Sequence, residues 1–175
     1  PYQFDFYDGG GLDMAFLGMA ECNAKGDVNV SKFKDRIAGC GGFINITQNT
    51  HKVVFCGTFT AKGLREEIRD GKLVITHEGA VQKFIDKVGQ ITFSAEYAHK
   101  HNQQVMFITE RCVFVLTDKG LVLTEIAPGV DLQKDILDQM EFVPHIAENL
   151  KTMDERLFRD EPMGLAQDIF EQQAG

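Results

Sequence analysis

AGCGGFINITQNTHKVVFCGTFTAKGL, residues Ala38 to Leu64, sets the architecture of this chain. Lys52 to Phe59 (KVVFCGTF) is a compact apolar strand, and Gly39-Cys40-Gly41-Gly42 is a turn with the backbone freedom that glycine supplies. Between them, Phe43 to Gln48 (FINITQ) reads two ways. Its β-branched residues favour a strand, whereas a glycine turn just before it and a strand soon after it favour a short helix packed as an αβ unit.

Upstream, Leu12 to Cys22 (LDMAFLGMAEC) is mostly apolar without clean alternation, as expected of a buried strand in an α/β sheet. Asn23 to Gly26 is a turn, and Asp27 to Phe33 alternates with Val28 and Val30 on one face, giving a short strand. The chain begins at Pro1 and opens directly into Phe4, Phe6 and Tyr7 alternating with Gln3 and Asp5. That pattern predicts a strand with no lead-in and hints at further sequence upstream. Downstream, Lys72 to Thr76, Gln90 to Ala95, Gln104 to Glu110, Cys112 to Thr117 and Leu121 to Ile126 are short β-type runs, with Asp118-Lys119-Gly120 as a hairpin turn. Leu132, Ile136 and Met140 at helical spacing, with Asp131 as N-cap after Pro128-Gly129, predict a helix over Asp131 to Met140. Residues 150 to 175 read as an acidic helical or extended tail.

The 175 residues, 43% of them apolar and 25% charged, describe one ordinary globular domain with a real core. No apolar run approaches the roughly 18 residues that a membrane span needs. Cys22, Cys40, Cys56 and Cys112 are too few and too scattered for a disulfide scaffold, and no CxxC pair suggests zinc; that usage fits a reducing cytosol. Residues 1 to 120 carry 14 charges of each sign, so the net charge of −8 sits wholly in the last third. A nucleic-acid footprint is not expected of such a surface. Residues 25 to 72 nevertheless hold nine bases against five acids, a local excess suited to a phosphorylated small molecule.

The glycine clusters Gly9-Gly10-Gly11 and Gly39 to Gly42 are candidates for chemistry, because successive open N–H groups can face an anion or a developing oxyanion. The competing reading is two tight turns. Neither fits a dinucleotide or P-loop pattern. Lys62 lies just beyond a strand end, where α/β sheets present ligand-binding groups, though most loop lysines are merely solvated. His99 and His101 at i and i+2, with no nearby carboxylate or thiolate, make a poor metal site and read as a solvated loop. Asp13, Glu21 and Glu110 sit in or beside apolar runs; each is open to burial with a raised pKa, to pairing with a base, or to a place on a sheet edge.

Taken together, FDFYDGGGLDMAFLGMAE (Phe4 to Glu21), GDVNVSKF (Gly26 to Phe33), the Ala38 to Leu64 stretch and ITERCVFVLTDKGLVLTEIAPGVDLQKDIL (Ile108 to Leu137) resemble the C-terminal half of family I coenzyme A transferases. The likeness runs in order through MDERLF and PMGL and is closest to the short-chain acyl-CoA:acetate or propionate type, with succinyl-CoA:3-ketoacid transferase more distant. It implies a three-layered α/β CoA-transferase domain, strand-rich with short helices, over residues 1–150, with residues 151–175 as an acidic tail packed on it. It implies ping-pong transfer of CoA between carboxylic acids through a glutamyl-CoA thioester. The glutamate lies in a motif upstream of Pro1, so Glu21 does not inherit the role. The resemblance assigns Gly41 and Gly42 to the oxyanion and places Gly18, Gly41, Asn45 and Lys62 on CoA. The partners expected are acyl-CoA and short-chain carboxylic acids, the N-terminal half or a companion subunit, and further copies in a homo-oligomer. No metal, resident cofactor, nucleic acid or membrane is expected, and the location expected is cytoplasmic. An acyl-CoA hydrolase and a noncatalytic assembly module on the same fold remain the alternatives.

Overall fold

The computed structural model describes residues 2–173. A six-stranded mixed sheet forms its centre, with spatial order Met14–Gly18, Lys52–Cys56, Gln104–Ile108, Cys112–Thr117, Gly120–Ile126 and His145–Thr152. The first three run parallel, the next two complete an antiparallel meander, and the last is parallel to its neighbour. Alternation in the register divides the sheet into two faces. Ala15, Val53 and Val105 share one row and Leu17, Phe55 and Phe107 another, whereas Val54 and Met106 point the other way.

The first face carries the larger core. Phe55 is its hub, with ring centroids 5.8 Å from Phe43, 5.0 Å from Phe93 and 5.2 Å from Phe107. Phe84 continues the aromatic packing to Phe59 at 4.7 Å and Phe114 at 5.1 Å. Burying each such ring is worth roughly 1.5–3 kcal/mol, so this face dominates stability. On the second face, Leu73, Val113, Ala127, Met153 and Phe158 form a smaller core beneath the Arg65–Arg69/Lys72–His77 hairpin. Helices and loops, sheet, and hairpin with C-terminal turn make three layers.

Phe43–Gln48 is a helix, closing the ambiguity of its β-branched composition: the turn from Cys40 starts it, and Phe43 fixes it on Phe55. The N-terminal alternation misleads. Tyr2–Asp8 is a helix, closed at its end by the glycines after it, with Gly9 N–H donating to the Asp5 carbonyl and Gly11 N–H to that of Phe6. Gly10 has φ +77°, and a side chain at Gly11 would collide with the Phe6 ring, so the triple glycine turns the chain back over that ring. Leu12 to Cys22 holds a shorter strand at the sheet's edge, with Phe16 66% exposed rather than buried. Asp27 to Phe33 splits into two short pairings, Val28–Asn29 with Glu21–Cys22 and Lys32–Phe33 with Arg36–Ile37.

Gln90 to Ala95 is not a strand. The Ser94 hydroxyl accepts the Tyr97 N–H at 3.2 Å and starts the helix Ala95–Lys100, leaving one bridge between Val28 and Phe93. Asp131 is indeed a cap, accepting from Lys134 N–H at 2.7 Å, yet the residues after it form a wide π-type turn over Leu132–Ile136 and a tight 3₁₀ turn over Leu137–Gln139. The Asp135 carbonyl accepts from the Arg111 guanidinium at 2.8 Å, tying this turn to the buried arginine. The strand His145–Thr152 runs through position 150, and beyond it Met153 and Phe158 are buried on the second face. The terminal helix Leu165–Gln173 is tied back by the 2.7 Å ion pair between Arg156 and Asp168. No helix among the described residues is long and apolar enough to cross a membrane.

Candidate functional site

Gly18, Cys56 and Ile108 are register partners at the carboxyl ends of the three parallel strands. In an open parallel sheet, the loops leaving such ends are where ligands bind. The loop after Cys56 is tied down by its own hydrogen bonds. Gly57 N–H donates to Ile108 O at 3.2 Å, the Thr58 hydroxyl donates to Thr60 O at 2.7 Å, and Thr60–Ala61 pairs with Val81–Gln82. Lys62 comes next, in the left-handed region at φ +61°, with Gly63 at +93°. That conformation costs a lysine about 1 kcal/mol and is held by the Ala80 N–H bond to its carbonyl at 3.0 Å.

Gly41 has φ +53°, and a side chain built on it would meet nothing within 4 Å. Gly42, immediately before the helix, lies beside the Phe4 ring. Neither N–H has an acceptor among the described residues. Phe43 carries this turn to Phe55, the penultimate residue of the central parallel strand. Asn45 points elsewhere: its amide donates to both oxygens of Asp8 at 3.0 and 3.2 Å and binds the two short helices together. Gly18 ends the first strand, with no heavy atom within 4 Å of a hypothetical side chain.

Behind the Lys62 loop lies a buried ionic network. Arg111 is fully buried and grips Glu78 with two bonds of 2.7 and 2.8 Å and Glu110 through Nε at 2.8 Å, while standing 5.2 Å over the Phe59 ring. Burial alone would raise the Glu78 carboxyl, but bonds from Arg111, Thr60 and Gly79 N–H outweigh it and hold the group at about 2. Glu110 therefore faces a paired base, Glu21 accepts from Asn29 and Gly89 N–H, and Asp13 is exposed. His99 and His101 end the Ala95–Lys100 helix, and no group of three metal-ligating side chains occurs among the described residues. The apolar run beside Glu110 flags that residue in the sequence, whereas Glu78 and Arg111 carry no comparable signal.

No family model matches the chain. It is 56% identical over 162 residues to acetate CoA-transferase YdiF of Escherichia coli K12 and 53% identical over 167 residues to caffeate CoA-transferase of Acetobacterium woodii. Both alignments cover 93% of this chain but only 30% and 32% of the relatives, so the chain spans about a third of their length. Crystal structures of YdiF from E. coli O157:H7, as apoenzyme and as a thioester complex with CoA, superpose with TM-score 0.91 at 56% identity, over 93% of this chain and 32% of theirs. The decarboxylase AibA/AibB superposes with TM-score 0.63 at 19% identity over 87% of this chain and 55% of its own, a likeness of fold alone. A shared fold does not choose the reaction.

Proposed function

We propose that this chain, whose sequence and fold match the C-terminal portion of a family I coenzyme A transferase, works within a complete enzyme that moves CoA between carboxylic acids. The observation that carries the reading is the 56% identity maintained over 93% of the chain together with a superposition at TM-score 0.91 on an acyl-CoA transferase structure bearing a CoA thioester. The Gly41-Gly42 turn supports it, because two adjacent N–H groups without an acceptor among the described residues, beside open space at Gly41, suit an acyl oxygen that gains charge.

The chemistry divides one exchange into easier steps. A glutamate from the upstream portion attacks the thioester carbonyl and expels CoA thiolate, leaving an acyl-glutamyl anhydride. The thiolate then attacks the glutamyl carbonyl, releases the donor carboxylate and leaves a glutamyl-CoA thioester; an acceptor carboxylate reverses both steps. In this reading Gly41 and Gly42 donate to the oxygen at each tetrahedral stage, Gly18 admits the pantetheine arm, and Lys62 faces CoA. CoA is a substrate, no resident cofactor is called for, and short-chain acids such as acetate are the acceptors. The remaining portion of the active site comes from the N-terminal half or a companion subunit, in a cytoplasmic oligomer.

The test is intact-protein mass measurement on the full-length enzyme incubated with acetyl-CoA alone, followed by addition of propionate. A covalent mass gain equal to CoA less one water that disappears on propionate addition, with propionyl-CoA formed, is expected. Free CoA released to water with no acceptor dependence would place the chain in a hydrolase, and neither event would leave a noncatalytic module.

A further inference from the structure

One peptide unit is held at both ends by charged side chains. The Thr58 carbonyl accepts from the Lys83 ammonium at 2.8 Å, and the next N–H, that of Phe59, donates to Glu110 Oε2 at 2.9 Å. This peptide lies just beyond the central parallel strand and shortly before Lys62. Lys83 is 7% exposed and the Glu110 side chain 13%. The second Glu110 oxygen is occupied by Arg111, so Oε2 is aimed at Phe59 rather than free to rotate. Gly57 completes the arrangement: a side chain there would stand 3.0 Å from the Lys83 nitrogen, tighter than ordinary contact, and would push the ammonium off its seat by a few tenths of an ångström.

Stability does not account for these charges. Buried ion pairs are often matched or bettered by apolar residues of equal volume, and their best-attested use is to fix one geometry among several. Here the geometry fixed is that of the Gly57 to Lys62 loop. Arg111 extends the same hold to its far end, through Glu78 and the Thr60 hydroxyl that donates to it. Burial depresses the Lys83 pKa, and the Glu110 charge opposes that shift.

We propose that Lys83 and Glu110 are positioning residues, clamping the Thr58–Phe59 peptide so that the strained Lys62 loop is preformed for acyl-CoA. The clamp itself stands on geometry; its service to acyl-CoA rests on the transferase reading. Preorganisation of this kind lowers the ordering cost of binding, so its loss should weaken binding of acyl-CoA more than it slows chemistry.

The experiment uses the full-length enzyme as wild type, Lys83→Met, Gly57→Ala and the double variant, with KM for acetyl-CoA, kcat, and amide exchange of residues 57 to 62 read by mass spectrometry without substrate. Loss of one charge-assisted bond predicts a KM increase of about tenfold with kcat within about threefold, and local exchange faster by a similar factor. Gly57→Ala should reproduce this, and the double variant should be no worse than Lys83→Met alone, because both act through the same ammonium. Exchange unchanged in this segment overturns the clamp whatever the activity. Faster local exchange with KM unchanged in an active enzyme overturns its role in acyl-CoA binding, and additive single effects overturn the shared cause. A wild-type enzyme that transfers no CoA removes the transferase reading and with it the acyl-CoA role, leaving the clamp judged by exchange.

Discussion

Replacing Gly41 by alanine separates two costs that glycine turns usually confound. The residue sits at φ +53°, within the left-handed region, so the backbone penalty for alanine is about 1 kcal/mol. No steric penalty adds to it inside the chain, because nothing lies within 4 Å of the new methyl group. For a domain of this size, a loss of about 1 kcal/mol lowers Tm by about 2–4 °C. In the transferase reading, by contrast, a methyl group at Gly41 crowds the acyl oxygen that this turn would bind. Loss of one such donor costs about 10²-fold in kcat, equivalent to about 2.7 kcal/mol and well beyond the strain. Gly39→Ala is the matched control: it also has positive φ, +80°, and open space, but lies outside the donor pair. In the full-length enzyme, rapid-quench measurement of glutamyl-CoA formation should show Gly41→Ala slowed about 10²-fold and Gly39→Ala within a few-fold, with similar thermal unfolding. Equal slowing of both variants would reduce the site to a turn, and wild-type rates for Gly41→Ala would remove it from the chemistry.

Lys62→Ala should raise KM for acyl-CoA about tenfold, with an effect that shrinks as salt is added; indifference to both would make Lys62 a solvated loop residue. Glu78 is held at about 2 against an ordinary 4.5, so its stabilising contribution is complete above pH 4.5 and is lost as pH falls toward 2. Urea unfolding across that window should lose up to about 3 kcal/mol in the wild type, with a flatter curve for Glu78→Gln. Phe107→Ala removes a fully buried ring from the aromatic hub and should cost about 3–5 kcal/mol by urea denaturation; a loss below about 1 kcal/mol would mean the core repacks freely.

How far the sequence can be read depends on whether each element's information is local. Lys52–Cys56 and the strands around Asp118-Lys119-Gly120 carry dense apolar runs with a turn signal between them, and they form as expected. The strand Arg65–Arg69 (REEIR) carries no such signal, since its polar residues face solvent and only pairing with Lys72–His77 reveals it. The aromatic alternation at Phe4 to Tyr7 suits a strand as well as a helix, and docking decides it: Asn45 and Asn49 side chains reach Asp8 from another helix. Within the candidate site, the glycine turn stands out by residue type, and Lys62 only by its place beyond a strand end and by the family resemblance. The hold on Thr58–Phe59 is not, because Lys83 and Glu110 are far apart in sequence and a buried lysine looks the same on paper as a solvated one.

The order of strands in the sheet also sets an order in time. Phe107 meets Phe114, and Val115 meets Val122, across short hairpins, whereas Lys52 must find Gln104 and Met14 must find Lys52 across long intervening chain. Closing a loop about seven times longer costs roughly 2 kcal/mol more in chain entropy, which slows the parallel pairings relative to the meander by more than about tenfold. Loop-closure entropy alone therefore favours the Gln104 to Ile126 meander and the Arg65 to His77 hairpin forming before the parallel pairings, with the loops at the parallel strands' carboxyl ends ordered after them.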